Sequence, residues 1–363
     1  MIGVIIAGGA GTRLRPFTYV RPKPMMPVVN KPLLQYQVEL LKRHGITDIV
    51  LCIGSGNSAI EQYFADGSEF GVRIAYSIEE TPLGTAGAVR YAEPHFGAHD
   101  TMIVLNGDGL IDYDLSVIAR FHAERHADVT IGLAEVPRPT PSGIVKIDPE
   151  NRIVSFDEPD DAGKKLLLSG ECEALGFVLV NAGLYVISRT SMERVPYGAE
   201  CSIEKDFFPS LIRDNEAIFG FELTGYWSDI GSPRNYLRTH HDLLSGKADV
   251  CLSGERMSGG YLAMENVRVD PSAFISSEVH IGAGSEIRSG SRITGLTSIG
   301  PRCLVGENAS IENCVLLENV VIGEGCTLKN CIIDCNSIIG NNISLSDNSV
   351  VAASSVVIGP EPS

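Results

Sequence analysis

The stretch Val269-Asp-Pro-Ser-Ala273-Phe-Ile275-Ser-Ser-Glu-Val279-His-Ile281-Gly-Ala-Gly-Ser285-Glu-Ile287-Arg-Ser-Gly-Ser291-Arg-Ile293 places a branched aliphatic residue at every sixth position. The beat continues through Ile299, Val305, Ile311 and Leu317, slips by one residue, and resumes at Ile322 and Leu328. A second slip restarts it at Ile333, and it then runs through Ile339, Leu345 and Val351 to Val357. Four residues beyond many of these positions stands a small side chain: Ala273, Val279, Ser285, Ser291, Thr297, Cys303, Ala309, Val315. An α-helix, with about 3.6 residues per turn, cannot hold a six-residue beat over so many repeats. Short strands stacked three to a coil can, so the spacing predicts a parallel β-helix, with the slips as corner adjustments.

Upstream the pattern changes. Ile2 to Ala7, Ile49 to Ile53, Val72 to Ile78 and Met102 to Leu105 read as short buried strands. Between them Leu33 to His44, Ser58 to Phe64 and Leu115 to His126 place apolar residues at helical spacing. Strand–helix alternation predicts an α/β domain, a Rossmann-like and mostly parallel sheet sandwiched by helices. Ligands of such sheets gather at the carboxyl ends of the strands, here Ala7-Gly8-Gly9 and Asn106-Gly107-Asp108. The expected organisation is an α/β domain over 1–235, a linker over 236–265 and the β-helix over 266–363.

With 363 residues, more than one core is the default. A net charge of −16 with no compensating basic tract argues against a partner made of nucleic acid, so any nucleotide site must be a local positive spot. No apolar run approaches a membrane span, and the start lacks a basic n-region, so a cytoplasmic protein is expected. Nine cysteines without a Cys-x-x-Cys pair read as reduced thiols, four of them (Cys303, Cys314, Cys326, Cys331) among small core residues.

The first strand runs into Gly8-Gly9-Ala10-Gly11-Thr12-Arg13-Leu14-Arg15-Pro16, and Arg21-Pro22-Lys23-Pro24 follows. Glycines let backbone N–H groups approach a polyphosphate, and the prolines around Lys23 stiffen the chain that carries its ammonium. Together these resemble the signature of sugar-1-phosphate nucleotidyltransferases. Further matches follow in order: Pro82-Leu83-Gly84-Thr85-Ala86-Gly87, Asn106-Gly107-Asp108, Val180-Asn181-Ala182-Gly183-Leu184-Tyr185, Ser202-Ile203-Glu204-Lys205-Asp206 and Trp227-Ser228-Asp229-Ile230-Gly231. With the repeat region, the similarity spans essentially the whole chain. It is strongest to mannose-1-phosphate guanylyltransferases that carry a C-terminal left-handed β-helix.

The resemblance implies that a sugar-phosphate oxygen attacks the α-phosphorus of a nucleoside triphosphate in line, releasing pyrophosphate. It implies nucleotide binding by Ala7, Gly8, Gly9, Gly11, Thr12, Arg13, Lys23, Gly84, Thr85 and Gly107. Sugar-phosphate binding falls to Gly143, Glu158, Asn181, Gly183 and Lys205. Mg²⁺ is assigned to Asp108 and Asp229, and Arg13, Lys23 and Asp108 are the catalytic set. Two phosphate anions repel, so charge neutralisation and alignment are what the chemistry needs from these residue types. The implied substrates are GTP and α-mannose 1-phosphate; small residues at Ala86-Gly87, where thymidylyltransferases carry a glutamine, leave room for a purine.

One position departs from the family pattern. Where relatives carry Glu-Lys-Pro, this chain has Phe156-Asp157-Glu158-Pro159, so Lys205, Lys164, Lys165 or the metal must take the sugar phosphate. Other readings stay open: uridylyl or thymidylyl transfer to glucose 1-phosphate or another sugar or cyclitol phosphate, a nucleotide-sugar sensor without activity, or acyl transfer through His280. The other seven histidines read as solvated. The stack of coils is expected to serve homo-oligomer assembly and regulation, since its open end invites another subunit.

Overall fold

A computed structural model describes residues 1–9, 11–137, 143–157, 176–346 and 348–359. It resolves into two compact units, one of Met1–Gly9 with Gln37–Trp227 and the other of Ala10–Tyr36 with Ser228–Ser363.

The first unit is built on a nine-stranded sheet. Its strands are β1 (Ile2–Ile6), β2 (Asp48–Gly54), β3 (Arg73–Glu79), β4 (Thr101–Asn106), β5 (Val129–Pro137), β6 (Ile144–Ile147), β7 (Ile153–Asp157), β8 (Phe177–Ser188) and β9 (Ile218–Glu222). The main order is β7-β6-β8-β4-β1-β2-β3, with β5 also on β8 and β9 on β5. β1 runs parallel to β2 and β4, and β2 parallel to β3, which suits their near-continuous buried aliphatic sequence. The sheet as a whole is mixed, because β8 lies antiparallel to β4, β5 and β6. β8 accommodates this with a register shift between Asn181 and Tyr185, centred on Gly183 at φ 73°. The core joins Val4, Val50, Cys52, Val104, Ile131 and Tyr185 to Phe207, Phe208 and Leu211. Strand order reverses at β1, with β2 on one side and β4 on the other, so the loops leaving β1 and β4 border the switch-point crevice.

The second unit contains three stacked parallel sheets. One inward column runs Ala263, Ile281, Ile299, Leu316, Ile333, Val351. A second runs Val269, Ile287, Val305, Ile322, Ile339, Val357. The third runs Ile275, Ile293, Ile311, Leu328, Leu345. The β-helix is therefore as the spacing predicts, with one change of register. Leu316, not Leu317, pairs with Ile299, so the first slip falls one step earlier, at the corner Asn313-Cys314. That corner is one residue shorter than Gly295-Leu296-Thr297 in the coil below, and Cys314 takes the buried small-residue position expected of Val315. The second slip falls at the same corner one coil later, at Asn330-Cys331. Asn313, Asn319, Asn330, Asn336 and Asn342 turn corners in the left-handed region, which asparagine tolerates better than most residues.

Small polar side chains in the core satisfy themselves across coils: the hydroxyl of Ser285 donates to the Gly300 carbonyl and that of Ser291 to Gly306, each at 2.7 Å. The thiols of Cys303 and Cys326 reach Leu317 O and Gly340 O in the same way. Among the described residues no cysteine forms a disulfide. Two histidines depart from the expected solvated state: His122 and His240 are buried, and burial pushes them down to about 4 and about 3. Among the described residues no helix is long and apolar enough to cross a membrane.

Candidate active site

β1 and β4 end level, with Ile6 paired to Asn106. Beyond them the Ala7 N–H donates to Cys52 O and the Gly107 N–H to Ile6 O, each at 2.8 Å. A Cβ on Gly107 would stand 2.7 Å from Ile6 O, so close backbone approach requires glycine there. Gly9 is different: nothing lies within 4 Å of where its Cβ would be. Packing does not explain that glycine, and its backbone is exposed.

Gln37 holds the β4 loop by donating from Nε2 to both Asn106 O and Gly109 O at 2.7 Å, which brackets Gly107 and Asp108. Asn181, on the bulge of β8, donates to Tyr185 Oη at 2.8 Å and to Glu204 Oε1 at 2.6 Å, while its own Oδ1 accepts the Gly183 N–H. Asn106 Nδ2 lies 3.4 Å from the same phenol oxygen. Burial, with Glu204 adding to it, holds the Tyr185 phenol protonated far above its usual range. Asn181 and Asn106 thus converge on one buried hydroxyl, and Gly183 and Glu204 hold Asn181 in place. Gln37, Tyr185 and Glu204 are the residues that sequence reasoning did not single out; the glutamate in Ser202-Ile203-Glu204-Lys205 was the available signal.

Lys205, the neighbour of Glu204 in the π-helical turn Ile203–Phe207, is exposed. Lys205→Ala should raise KM for the sugar phosphate about tenfold with nucleotide KM little changed, as loss of one charged phosphate contact does. Steady-state titration of each substrate checks this, and an equal shift in both removes Lys205 from the sugar-phosphate set. Gly143 is buried directly before β6. Glu158, Lys164 and Lys165 lie outside the described residues, as does Ala10.

The second glycine loop opens the helix Gly84–Tyr91. Gly84 has φ 69°, and a Cβ there would come 2.6 Å from Cys201 O; at Gly87 it would come 2.5 Å from Ala199 O. Thr85 Oγ1 accepts the Ile203 N–H at 2.7 Å. Ala86 and Gly87 are fully buried against this backbone. Their small size is accounted for by packing, which replaces the expectation that it leaves space for a purine.

In the second unit, Gly11 (φ 59°) precedes the turn Thr12–Leu14, and its missing Cβ would stand 3.0 Å from Lys23 Cβ. Thr12 and Arg13 are exposed, whereas Lys23 is 5% exposed. Arg13 Nη1 lies 3.8 Å from Asp229 Oδ2 and Lys23 Nζ 3.7 Å from Asp229 Oδ1. Two cations thus share one carboxylate. Arg13 and Lys23 are cations of the kind that an acidic protein needs near a polyphosphate. Gly231 lies against the carboxylate, where a Cβ would meet Asp229 Oδ2 at 2.8 Å, and Asn235 fixes the Asp229 carbonyl at 2.9 Å. His280 is fully buried with both ring nitrogens engaged, by Asn30 and by Ser253 O. It has no free nitrogen for acyl transfer. Among the described residues no group of three or more His, Cys, Asp or Glu side chains is arranged to hold a metal.

The level strand ends with their open glycine backbone in the first unit, and separately the cationic cluster in the second, are each features of nucleotide-handling α/β enzymes. The chain belongs to the nucleotidyl transferase family, whose model matches residues 2–246. Residues 259–363 match the LbH domain of EIF2B subunit epsilon, in keeping with a left-handed β-helix. A mannose-1-phosphate guanylyltransferase of Mycobacterium tuberculosis is 36% identical, over 80% of this chain and 78% of that protein. A UTP–glucose-1-phosphate uridylyltransferase of Synechocystis is 32% identical, over 88% and 83%. The solved structure of HddC from Yersinia pseudotuberculosis complexed with GMP-PN superposes with a TM-score of 0.55 at 28% identity, covering 66% of this chain and 98% of that one.

Proposed function

We propose that the chain forms GDP-mannose from GTP and α-mannose 1-phosphate with release of pyrophosphate. The observation that carries the choice of substrates is the 36% identity to the mycobacterial guanylyltransferase over most of both chains. An oxygen of the sugar phosphate forms the bond to the α-phosphorus, the α–β bridging bond breaks, and its electron pair leaves on pyrophosphate. Lys23 and Arg13 offset the charge that builds there, and the enclosed placement of Lys23 limits reorganisation during the reaction. Gly8 and Gly9, whose backbone is exposed, are assigned to the phosphates, and Gly11 is assigned to them by the sequence resemblance. Asn181 and Glu204, already joined, are set to read sugar hydroxyls, and the sequence resemblance assigns Gly183, Gly143, Glu158 and Lys205 to the same substrate.

Asp108 and Asp229 are assigned to Mg²⁺, as the sequence resemblance implies, because this hard cation is commonly held by one or two carboxylates plus substrate phosphates. When bound, the ion supplies charge neutralisation at the phosphate oxygens. Asp229 already faces two cations, so a third is favourable only with the triphosphate present. Mg²⁺ should accordingly bind the protein weakly alone and far more tightly with nucleotide. Self-association through the coils belongs to the same proposal.

The uridylyl alternative is favoured by the Synechocystis relative. A matrix of four nucleotides against mannose, glucose, heptose and cyclitol phosphates separates the two by kcat/KM. GTP with mannose 1-phosphate is expected to lead by about tenfold or more, equivalent to roughly 1.4 kcal/mol of transition-state binding. A similar lead for UTP or dTTP overturns the substrate assignment and leaves the reaction class intact.

A further inference from the structure

The segment that carries Lys23 ends in a hairpin, Pro27–Val28 paired with Lys31–Pro32. Its two central residues, Val29 and Asn30, have φ of 45° and 64°. Left-handed conformation at both positions is the geometry of a type I′ turn, which glycine and asparagine adopt readily and a β-branched valine does not. Such a turn persists only when its surroundings over-determine it.

Here the surroundings are the β-helix and the helix that precedes it, Pro233–Leu244. The Val29 N–H donates to His240 Nδ1 at 3.3 Å, and the Tyr236 hydroxyl donates to Pro27 O. Asn30 Nδ2 donates to Ile299 O at 2.8 Å and lies 2.9 Å from His280 Nδ1. His280 Nε2 lies 2.7 Å from the Ser253 carbonyl and must donate to it, which leaves Nδ1 as the acceptor for Asn30. At the other end of the segment the Arg21 guanidinium stands 3.7 Å from Glu318 and 3.9 Å from Asp334. Asp334 is a fully buried carboxylate on a coil, and its Oδ2 has no hydrogen-bond partner among the described residues. A carboxylate costs free energy in a β-helix core unless a cation faces it, so the coil is built around Arg21. Lys23 lies between these two anchors.

We propose that Arg21 and Asn30 are positioning residues through which the β-helix, by way of Glu318, Asp334 and His280, sets the place of Lys23 and thereby nucleotide affinity. This rests on the reading of the chain as a nucleotidyltransferase that takes a nucleoside triphosphate. Neither Arg21 nor Asn30 needs to touch substrate; displacing a charged contact by about 1 Å is enough to cost up to roughly a hundredfold.

The test uses the full chain and the best substrate pair of the matrix above. Arg21→Ala should raise nucleotide KM about tenfold, within the range that small misplacement produces. KM for the sugar phosphate should stay within about twofold. Arg21→Lys, which restores the charge without the fork, should recover part of the loss. Asn30→Gly keeps the left-handed turn and removes only the bonds to His280 and Ile299, so it remains informative should Arg21→Ala fail to fold. It too should raise nucleotide KM selectively. Unchanged kinetics in Asn30→Gly and Arg21→Ala, or equal rises in both KM values, overturn the inference. A parent enzyme that releases no pyrophosphate with any pair refutes the underlying reading instead.

Discussion

Lys23→Ala is expected to lower kcat/KM for pyrophosphate release by about 10³-fold, the upper range for losing one preorganised stabiliser of developing charge. Lys23 is buried, flanked by Pro22 and Pro24, and starts the short turn Lys23–Met25. Its ammonium lies 3.7 Å from Asp229. Its place is fixed before any ligand arrives, so little of its interaction is lost to ordering. Lys23→Arg should rescue poorly: Gly11 packs against the Lys23 stem, and a planar guanidinium does not fit where a compact ammonium is enclosed. Steady-state pyrophosphate release measures both variants. A loss of less than about tenfold in Lys23→Ala would remove Lys23 from the catalytic set.

Asp108→Ala and Asp229→Ala are each expected to cost about 10²-fold or more in turnover and to raise the Mg²⁺ concentration needed for half-maximal rate. The two should differ in one respect. Removing Asp229 also removes the carboxylate that Arg13 and Lys23 share, so nucleotide should bind Asp229→Ala without metal at least as well as it binds the parent. Asp108→Ala should show no such gain. Calorimetric titration of nucleotide with and without Mg²⁺, beside turnover at graded Mg²⁺, reads both effects. Near-normal turnover of both variants at low Mg²⁺ contradicts the assignment.

The β-helix was legible because its coils repeat a single local rule, an aliphatic residue pointing inward every sixth position. Its register at the first slip was not legible, since Leu316 and Leu317 are adjacent and equally apolar; only pairing with Ile299 decides between them. The strand ends at Ala7 and Asn106 could be read from short aliphatic runs closed by glycine. The antiparallel placement of Phe177–Ser188 could not, because strand direction is a long-range property. The same limit hid Gln37 and Glu204, whose roles depend on partners far away in sequence, Asn106 and Asn181. Ala86 and Gly87 misled for a related reason. A small residue signals that something comes close, and here the neighbour is the chain's own backbone at Ala199 and Cys201. For the same reason the sequence did not show that Ala10–Tyr36, with the basic segment, is compact with the coils and bonded to His280, Ile299 and Glu318.

The central claim is that the chain transfers a nucleotidyl group to a sugar 1-phosphate. The most direct measurement incubates the full chain with Mg²⁺, mannose 1-phosphate and GTP labelled separately on the α- and γ-phosphorus, and follows where each label goes. Transfer predicts the α-label in a nucleotide-sugar and the γ-label in pyrophosphate, in equal amounts and only when the sugar phosphate is present. If, across the full panel of nucleotides and sugar phosphates, the label stays in the triphosphate, or γ-label appears as free phosphate without a nucleotide-sugar, the chain is not a nucleotidyltransferase.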